Sequence, residues 1–400
     1  MSESKKKVLI CMTSMHPGGA ERSLIGLLNA FDYDKYQVDL FLNRHEGELL
    51  EQIPKEVNLL PAECHYESLA EPLINTIKKG HFAIAAARLL AKFISYIKSH
   101  GKDNDAGITG DYSHRFTKGL MPKIQTNVEY DLAISFITPH YFVAEKVIAK
   151  TKAAWIHTDY TNISLDKESQ MQMWLPYDHL VAVSDEVARK FSDVFPSLSN
   201  KVEVIENILP IDSMRLQAKE PIYDFGNKDE FRILSIGRFT YAKNFENIPV
   251  ICKYLCEYVT SFKWYIVGYG GGESLIRRAI EEEKMENRVI ILGKRKNPYP
   301  YIAQCNLYVQ PSRFEGKAVA VREAQVFCKP VVITNFPTAQ SQLIDGVNGI
   351  IVPLDPKECA KKIAQLLLDS KTMAQLQYNC KLTDFSNLAE IEKVYLMIES

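Results

Sequence analysis

The sequence has almost no net charge: 48 Lys and Arg face 49 Asp and Glu across 400 residues, a formal −1 at pH 7. With no basic excess, nothing draws the chain onto nucleic acid. With no acidic excess, no disordered acidic tail is expected. No run of about 18 apolar residues exists, which excludes a membrane-spanning helix. The eight cysteines contain no CxxC pair. Cys252 and Cys256 fall one helical turn apart, but no second Cys/His pair completes a zinc framework. The lysines of MSESKKKVLICM precede only a short apolar run, too short for a signal peptide. G-x-G-x-x-G is also missing, and Val38–Leu42 leads into Asn43 and Arg44 rather than the acidic residue a nicotinamide ribose needs. Asp32-Tyr-Asp34 and Asp103-Asn-Asp105 resemble DxD but end no apolar strand, so no metal is expected. These absences point to a reduced, cytoplasmic protein.

At this length two or three domains and an unstapled core are expected. Val8–Met12, Val38–Leu42, Leu132–Phe136, Ala153–His157, Leu180–Val183 and Val202–Ile205 read as buried parallel strands. Arg22–Phe31, Tyr141–Ala149 and Glu186–Phe191 read as helices between them, the last capped by Ser184. The pattern then restarts with strands at Arg232–Ile236, Trp264–Val267, Val289–Leu292, Leu307–Val309, Val331–Thr334 and Gly349–Val352. Helical patterns at Phe245–Val259, Glu273–Lys284, Val319–Phe327 and Cys359–Leu368 separate them. Two such series predict an α/β protein with two Rossmann-like domains, 1–207 and 208–385, with periodicity lapsing over Asn207–Asp229. A last helix within 386–400 follows. Residues 73–122 interrupt the first series with a basic, apolar helix and then a polar stretch, an insertion no βαβ unit requires.

Four segments carry candidate chemistry. Glu315-Gly316-Lys317-Ala318-Val319 through Glu323 follows a strand and the turn Pro311-Ser312-Arg313. Read as one helix, its two carboxylates sit about 12 Å apart, a separation suited to the two ends of an extended polar ligand. The Gly316–Val319 amides would open that helix toward an anion. The competing reading is two solvated helix charges. Gly237-Arg238 through Lys243-Asn244 also ends a strand, and its two cations can grip a diphosphate from both sides, although Arg and Lys are common in solvated loops. Gly18-Gly19, followed by Glu21, lets backbone approach a phosphate or sugar, or is a plain tight turn. His157-Thr-Asp159 ends a strand as either a reactive or a structural pair. The glycine-rich turn Gly268–Gly272 is equally open.

In the helix near His81–Lys98, Phe82, Ala86, Leu89, Leu90, Phe93 and Ile97 recur at helical spacing. Arg88, Lys92, Ser95 and Ser99 fall on another face. Such a stripe either packs on the first domain or lies in an anionic membrane surface.

In this order, GGAERSL, HTD, GRFTYAKN and EGKAVAVRE resemble the motifs of the retaining family 4 glycosyltransferases, and REAQVFCKPVVITNFPTAQSQLIDGVNGIIVP is similar to that family's downstream pattern. The resemblance implies a GT-B fold: two facing Rossmann-like domains, a nucleotide-sugar donor held mainly by the second, and a last helix crossing back to the first. It implies that Arg238 and Lys243 hold the donor diphosphate, with Gly237 beside them. Glu323 would bind the ribose, and Glu315 the transferred sugar. His157 and Gly19 would face the sugar, phosphate and acceptor, with Asp159 and Glu21 as further contacts. Lys317-Ala318 stands where the family usually has Phe-Gly. The implied activity is metal-free, cofactor-free transfer of a hexose from a UDP- or GDP-sugar to a glycan or lipid-linked acceptor, by a protein peripheral to the inner membrane face. A silent sugar-nucleotide-binding scaffold and a nucleotide-sugar epimerase are the alternatives. The first has no need of all four charged residues. The second needs acid/base groups on both sugar faces, and only His157 offers itself.

Overall fold

The computed structural model describes residues 5–98, 106–162, 165–226 and 229–399. The chain divides into two units, Met1–Asn207 with Ala389–Ser400, and Ile208–Leu388. Each is α/β and built on one parallel sheet.

In the first unit β1 (Lys6–Met12), β2 (Tyr36–Leu42), β3 (Asn58–Leu59), β4 (Tyr130–Ser135), β5 (Ala149–Ile156), β6 (His179–Ala182) and β7 (Val202–Val204) lie in the order β3-β2-β1-β4-β5-β6-β7. In the second, β8 (Phe231–Ile236), β9 (Phe262–Val267), β10 (Val289–Gly293), β11 (Leu307–Gln310), β12 (Val331–Thr334) and β13 (Ile350–Val352) lie in the order β10-β9-β8-β11-β12-β13. Each sheet grows one way from its first strand and then the other. β1 therefore pairs with β4 (Val8 opposite Leu132), and β8 with β11 (Ile233 opposite Leu307). The loops leaving such a pair diverge, and the crevice between them is where doubly wound sheets bind ligands.

Side-chain alternation explains the continuous apolar runs. Ile233, Trp264 and Ile266 pack in one core, and their neighbours Leu234, Tyr265 and Val267 in another. Both sheet faces are covered by helices, so both alternating sets are apolar. Ser184 caps its helix as expected, its Oγ accepting from Val187 N at 3.3 Å.

Several expected boundaries are corrected. The Tyr141 helix stops at Lys146 because Ala149 already starts β5. Phe245–Asn247 is a 3-10 turn, and the α-helix runs Ile248–Leu255. The aperiodic 207–229 stretch holds a short helix, Ile211–Gln217. After the 3-10 turn Leu388–Glu390, the last helix runs Ile391–Glu399. Its Tyr395 ring stacks on Tyr36 at 4.4 Å, and its hydroxyl accepts from Asp32 N at 2.8 Å.

The segment between β3 and β4 is helical at Leu73–Lys78, Phe82–Lys98 and Ala106–Thr117. The third helix replaces part of the expected polar stretch. Its Asp111 is buried and accepts from Tyr141 OH at 3.0 Å and Ser169 Oγ at 2.6 Å, tertiary contacts that periodicity does not encode. The Phe82–Lys98 helix packs inward through Ile84, Ala85, Ala91 and Ser95. The face expected to carry cations is therefore the packed one: Ser95 bonds Thr109 at 2.7 Å, and Arg88 donates to Thr76 Oγ1 at 3.0 Å and to Ser68 O. Lys92 alone of that set is exposed; Ser99 and the Asp103–Asp105 pair lie outside the described residues. Among the described residues, no helix is long and apolar enough to cross a membrane.

Candidate active site

The loops after β8 and β11 flank the reversal point of the second sheet. Gly237 follows β8, and a Cβ there would fall 3.3 Å from Lys243 Cδ and Cε. Glycine thus leaves the space that the lysine stem occupies. Lys243 ends a 3-10 turn, and Asn244 takes the left-handed conformation at φ 59°, which Asn tolerates better than most residues. Asn244 is buried, and its Nδ2 donates to Pro311 O at 2.9 Å, tying this loop to the one after β11. Arg313 ties them again: its amide donates to Ala242 O at 2.8 Å, and its guanidinium donates to Tyr241 O and Glu246 at 2.6 Å. So held, Lys243 Nζ reaches Glu315 Oε1 at 2.5 Å, and Ser312 Oγ donates to the same oxygen at 2.6 Å. Arg238 stands exposed in the same loop.

The reading of Glu315–Glu323 as one helix is corrected. The helix is Val319–Val326, and Glu315 precedes it in irregular backbone, so the 12 Å rise does not apply. Residues from the next strand-to-helix connection fasten this backbone instead. Thr338 Oγ1 donates to Glu315 O at 2.9 Å, Lys317 Nζ donates to Ser341 O at 3.0 Å, and Gln342 Oε1 accepts from Ala318 N at 2.7 Å. The Ala318 amide, expected to face an anion together with Gly316 and Val319, is thus already occupied. Lys317 has a structural partner, which accounts for the cation that stands where Phe is usual. Glu323 is buried in the helix and accepts from Tyr299 OH at 3.2 Å. The structure therefore groups Glu315 with Lys243 and Ser312, and Glu323 with Tyr299. Gly268–Gly272 is a packing device: a Cβ on Gly268, at φ +157°, would meet Gly237 O at 1.9 Å.

In the first unit, Gly18 is the extended N-cap (φ −162°) of the helix Gly19–Ala30, directly after the β1 loop. Gly19 has no left-handed φ, and a Cβ there would meet nothing within 4 Å, so a tight turn does not explain it. Glu21 lies buried in the first turn. His157 follows β5, and its Nε2 lies 2.9 Å from Phe136 O. A carbonyl only accepts, so Nε2 carries the proton and Nδ1 the lone pair. Burial pushes the ring's pKa down to about 4, and it is neutral at pH 7. Asp159 is turned elsewhere. It pairs with the buried Lys190 at 2.6 Å and accepts from Thr161 N and Oγ1 at 2.9 and 2.6 Å. Burial raises its pKa, but Lys190 and Thr161 outweigh that and hold it below the usual carboxylate range. Among the described residues, Glu63, Cys64 and His65 bring metal-ligand-type atoms within 4.8 Å. Glu63 already N-caps the short helix Cys64–Glu67, accepting from His65 N and Nδ1 at 3.3 and 2.7 Å.

Sequence reasoning missed Ser312, Arg313 and Asn244 as site builders, although each stood inside or beside a quoted motif. Thr338 and Gln342 stood in the quoted downstream segment without an assigned role, and Tyr299 and Lys190 gave no local signal, because all four reach the site only through the fold.

Residues 222–383 match the family model described as Glycosyl transferases group 1. Over these residues the chain is similar to that family. Curated relatives agree. An uncharacterised glycosyltransferase of Methanocaldococcus jannaschii is 28% identical over 170 residues, 42% of each chain. The N-acetylgalactosamine-N,N'-diacetylbacillosaminyl-diphospho-undecaprenol 4-alpha-N-acetylgalactosaminyltransferase of Campylobacter jejuni is 30% identical over 156 residues, 39% of this chain and 41% of the relative. The matched region thus spans about two-fifths of these relatives' length. A solved structure of HepE from Anabaena, in complex with UDP and glucose, is similar at TM-score 0.69 and 19% identity, covering 99% of this chain and 100% of that one. That likeness is one of fold, and the fold is GT-B. The matched residues contain both tied loops, with Arg238, Lys243, Glu315 and Glu323.

Proposed function

We propose that the protein is a retaining glycosyltransferase that moves a hexose from a nucleotide-diphosphate sugar to a glycan or lipid-linked glycan, without a metal. UDP-sugars are favoured over GDP-sugars. The carrying observation is the joined pair of loops at the reversal point of the second sheet, where Lys243 meets Glu315 on the loop that also carries Arg238. As the glycosidic bond breaks, negative charge grows on the leaving diphosphate. Arg238 and Lys243 supply fixed positive charge where it develops, the role otherwise given to a metal. Lys243 is shared between that phosphate and the Glu315 carboxylate, which would accept hydroxyl protons of the sugar. Glu323 is assigned to the ribose hydroxyls, and neutral His157 offers Nδ1 as an acceptor for a sugar hydroxyl. No protein nucleophile is assigned. Retention follows a front-face course in which a donor phosphate oxygen takes the acceptor's proton. The complex of HepE with UDP and glucose supports a UDP-linked donor, and the Campylobacter relative's name, a transferase on a diphospho-undecaprenol-linked sugar, supports a lipid-linked acceptor, and hence work at the inner face of a membrane.

Thermal shift against UDP-, GDP- and ADP-sugars tests the reading. A true donor at 100 times its Kd stabilises by about 2.7 kcal/mol, and the shift should survive excess EDTA. If no nucleotide sugar shifts the transition, the donor site is wrong. If chelation abolishes binding and magnesium or manganese restores it, metal independence is wrong.

A further inference from the structure

The Phe82–Lys98 helix is inside out. Its packed face is small and partly polar (Ile84, Ala85, Ala91 and Ser95), whereas its large apolar side chains face solvent. Phe82, Leu89, Leu90, Phe93, Tyr96 and Ile97 are each 51–67% exposed. At about 100° per residue they fill one continuous side of the cylinder. Ile74 and Ile77 of the preceding short helix are exposed as well, at 58% and 39%. Scattered exposed apolar residues are ordinary on a soluble protein. A contiguous row along a 17-residue helix marks a surface that something covers.

Charge decides what covers it. From Leu73 to Lys98 the sequence holds Lys78, Lys79, Arg88, Lys92 and Lys98 and no Asp or Glu. Arg88 turns inward, Lys79 pairs with Glu67 and Glu71, and Lys98 pairs with Asp166. Lys78 and Lys92 are exposed. A second copy of the same face would oppose lysine with lysine. An anionic bilayer instead takes the apolar row among its acyl chains and the lysines at its headgroups. We infer that the outward face of the Phe82–Lys98 helix, with Ile74, Ile77 and Lys78, docks this protein on an anionic lipid bilayer.

The test is co-sedimentation of the full chain with vesicles of phosphatidylcholine alone or mixed with phosphatidylglycerol, at low and high salt. Size-exclusion chromatography without lipid runs beside it. Every side chain changed is exposed, so Leu90→Ser with Phe93→Ser should leave the melting transition unchanged while abolishing binding. Lys92→Ala should weaken binding to the mixed vesicles about fivefold and leave the residual binding less salt-sensitive. Wild type remaining in the supernatant with the mixed vesicles at low salt overturns the inference. So does equal sedimentation of wild type and the double variant. A lipid-free dimer that the double variant dissolves would assign the face to a second copy instead. No arm uses a sugar, so failure of the transferase reading leaves these outcomes intact.

Discussion

The two units solve the placing of polar groups in opposite ways. In Ile208–Leu388 the functional loops are tied to one another by charges and amides: Lys243 to Glu315, Arg313 to Glu246, Asn244 to Pro311. In the other unit three buried histidines lose their charge, and the charges that stay buried are paired, as Asp159 is with Lys190. All nine histidines of the chain precede Asn207. Burial holds His114 and His157 neutral, with pKa values near 4, and His140 near 3. On the proposed function, a site that meets a doubly charged phosphate keeps its cations fixed and in place. On the same proposal, a surface that meets neutral hydroxyls can use uncharged rings. The contrast predicts different sensitivities on the two sides.

The largest effect should come from Arg238→Ala and Lys243→Ala. Removing one preorganised stabiliser of developing charge typically costs 10²–10³ in turnover, about 3–4 kcal/mol. Saturating-donor kinetics on folded variants measures it. A variant with near-normal turnover would shift the chemistry away from the tied loops and break the contrast.

Acid should then separate the units. The native state binds fewer protons at His114, His140 and His157 than the unfolded chain does. Stability therefore falls as pH drops from about 6.5 toward 4. Each histidine adds a slope of up to about 1.4 kcal/mol per pH unit, or about 3 kcal/mol in all by pH 5 once the partial exposure of His114 and His157 is discounted. Ile208–Leu388 contains no histidine, and its transition should stay flat across that window. Calorimetry from pH 7 to pH 5 resolves this, and two transitions falling in parallel would refute it.

A smaller effect sharpens the donor side. Glu323→Gln should weaken free nucleoside diphosphate about tenfold, the loss expected for a hydrogen bond to a charged group. Glu315→Gln should spare that affinity but erase discrimination between sugars. Titration calorimetry decides, and equal losses in both variants would merge the two roles.

Much of this was legible in sequence. The continuous apolar runs gave every strand of both sheets but the exposed two-residue β3, because parallel strands buried on two faces leave no polar phase to confuse them. The strand-ending motifs located Gly237–Asn244 and the Glu315 segment at the carboxyl ends of central strands of the second sheet. Two things were hidden. Glu315 and Val319 look like one helix by composition, yet Thr338 and Gln342, more than twenty residues away, hold the first part irregular. The direction of the Phe82–Lys98 stripe was equally hidden. Periodicity reports that a helix has an apolar side but not whether the protein stands behind it. His157-Thr-Asp159 read as a pair because the residues are close in sequence, and Lys190, on another helix, claims the aspartate.

The stacking of Tyr395 on Tyr36 bears on how the chain is made. Residues 208–388 interrupt a unit whose two pieces lie more than 180 residues apart. During synthesis the first piece emerges with Phe31 and Tyr36 uncovered, and the ring that contacts both arrives only after a whole second unit has been translated. Domains generally fold as units, in order of emergence, at about 5–20 residues per second. The first-born unit is therefore the last to finish, and for about 10–40 s it presents an aromatic patch to the cell. A chain truncated after Leu388 would hold that patch open for good.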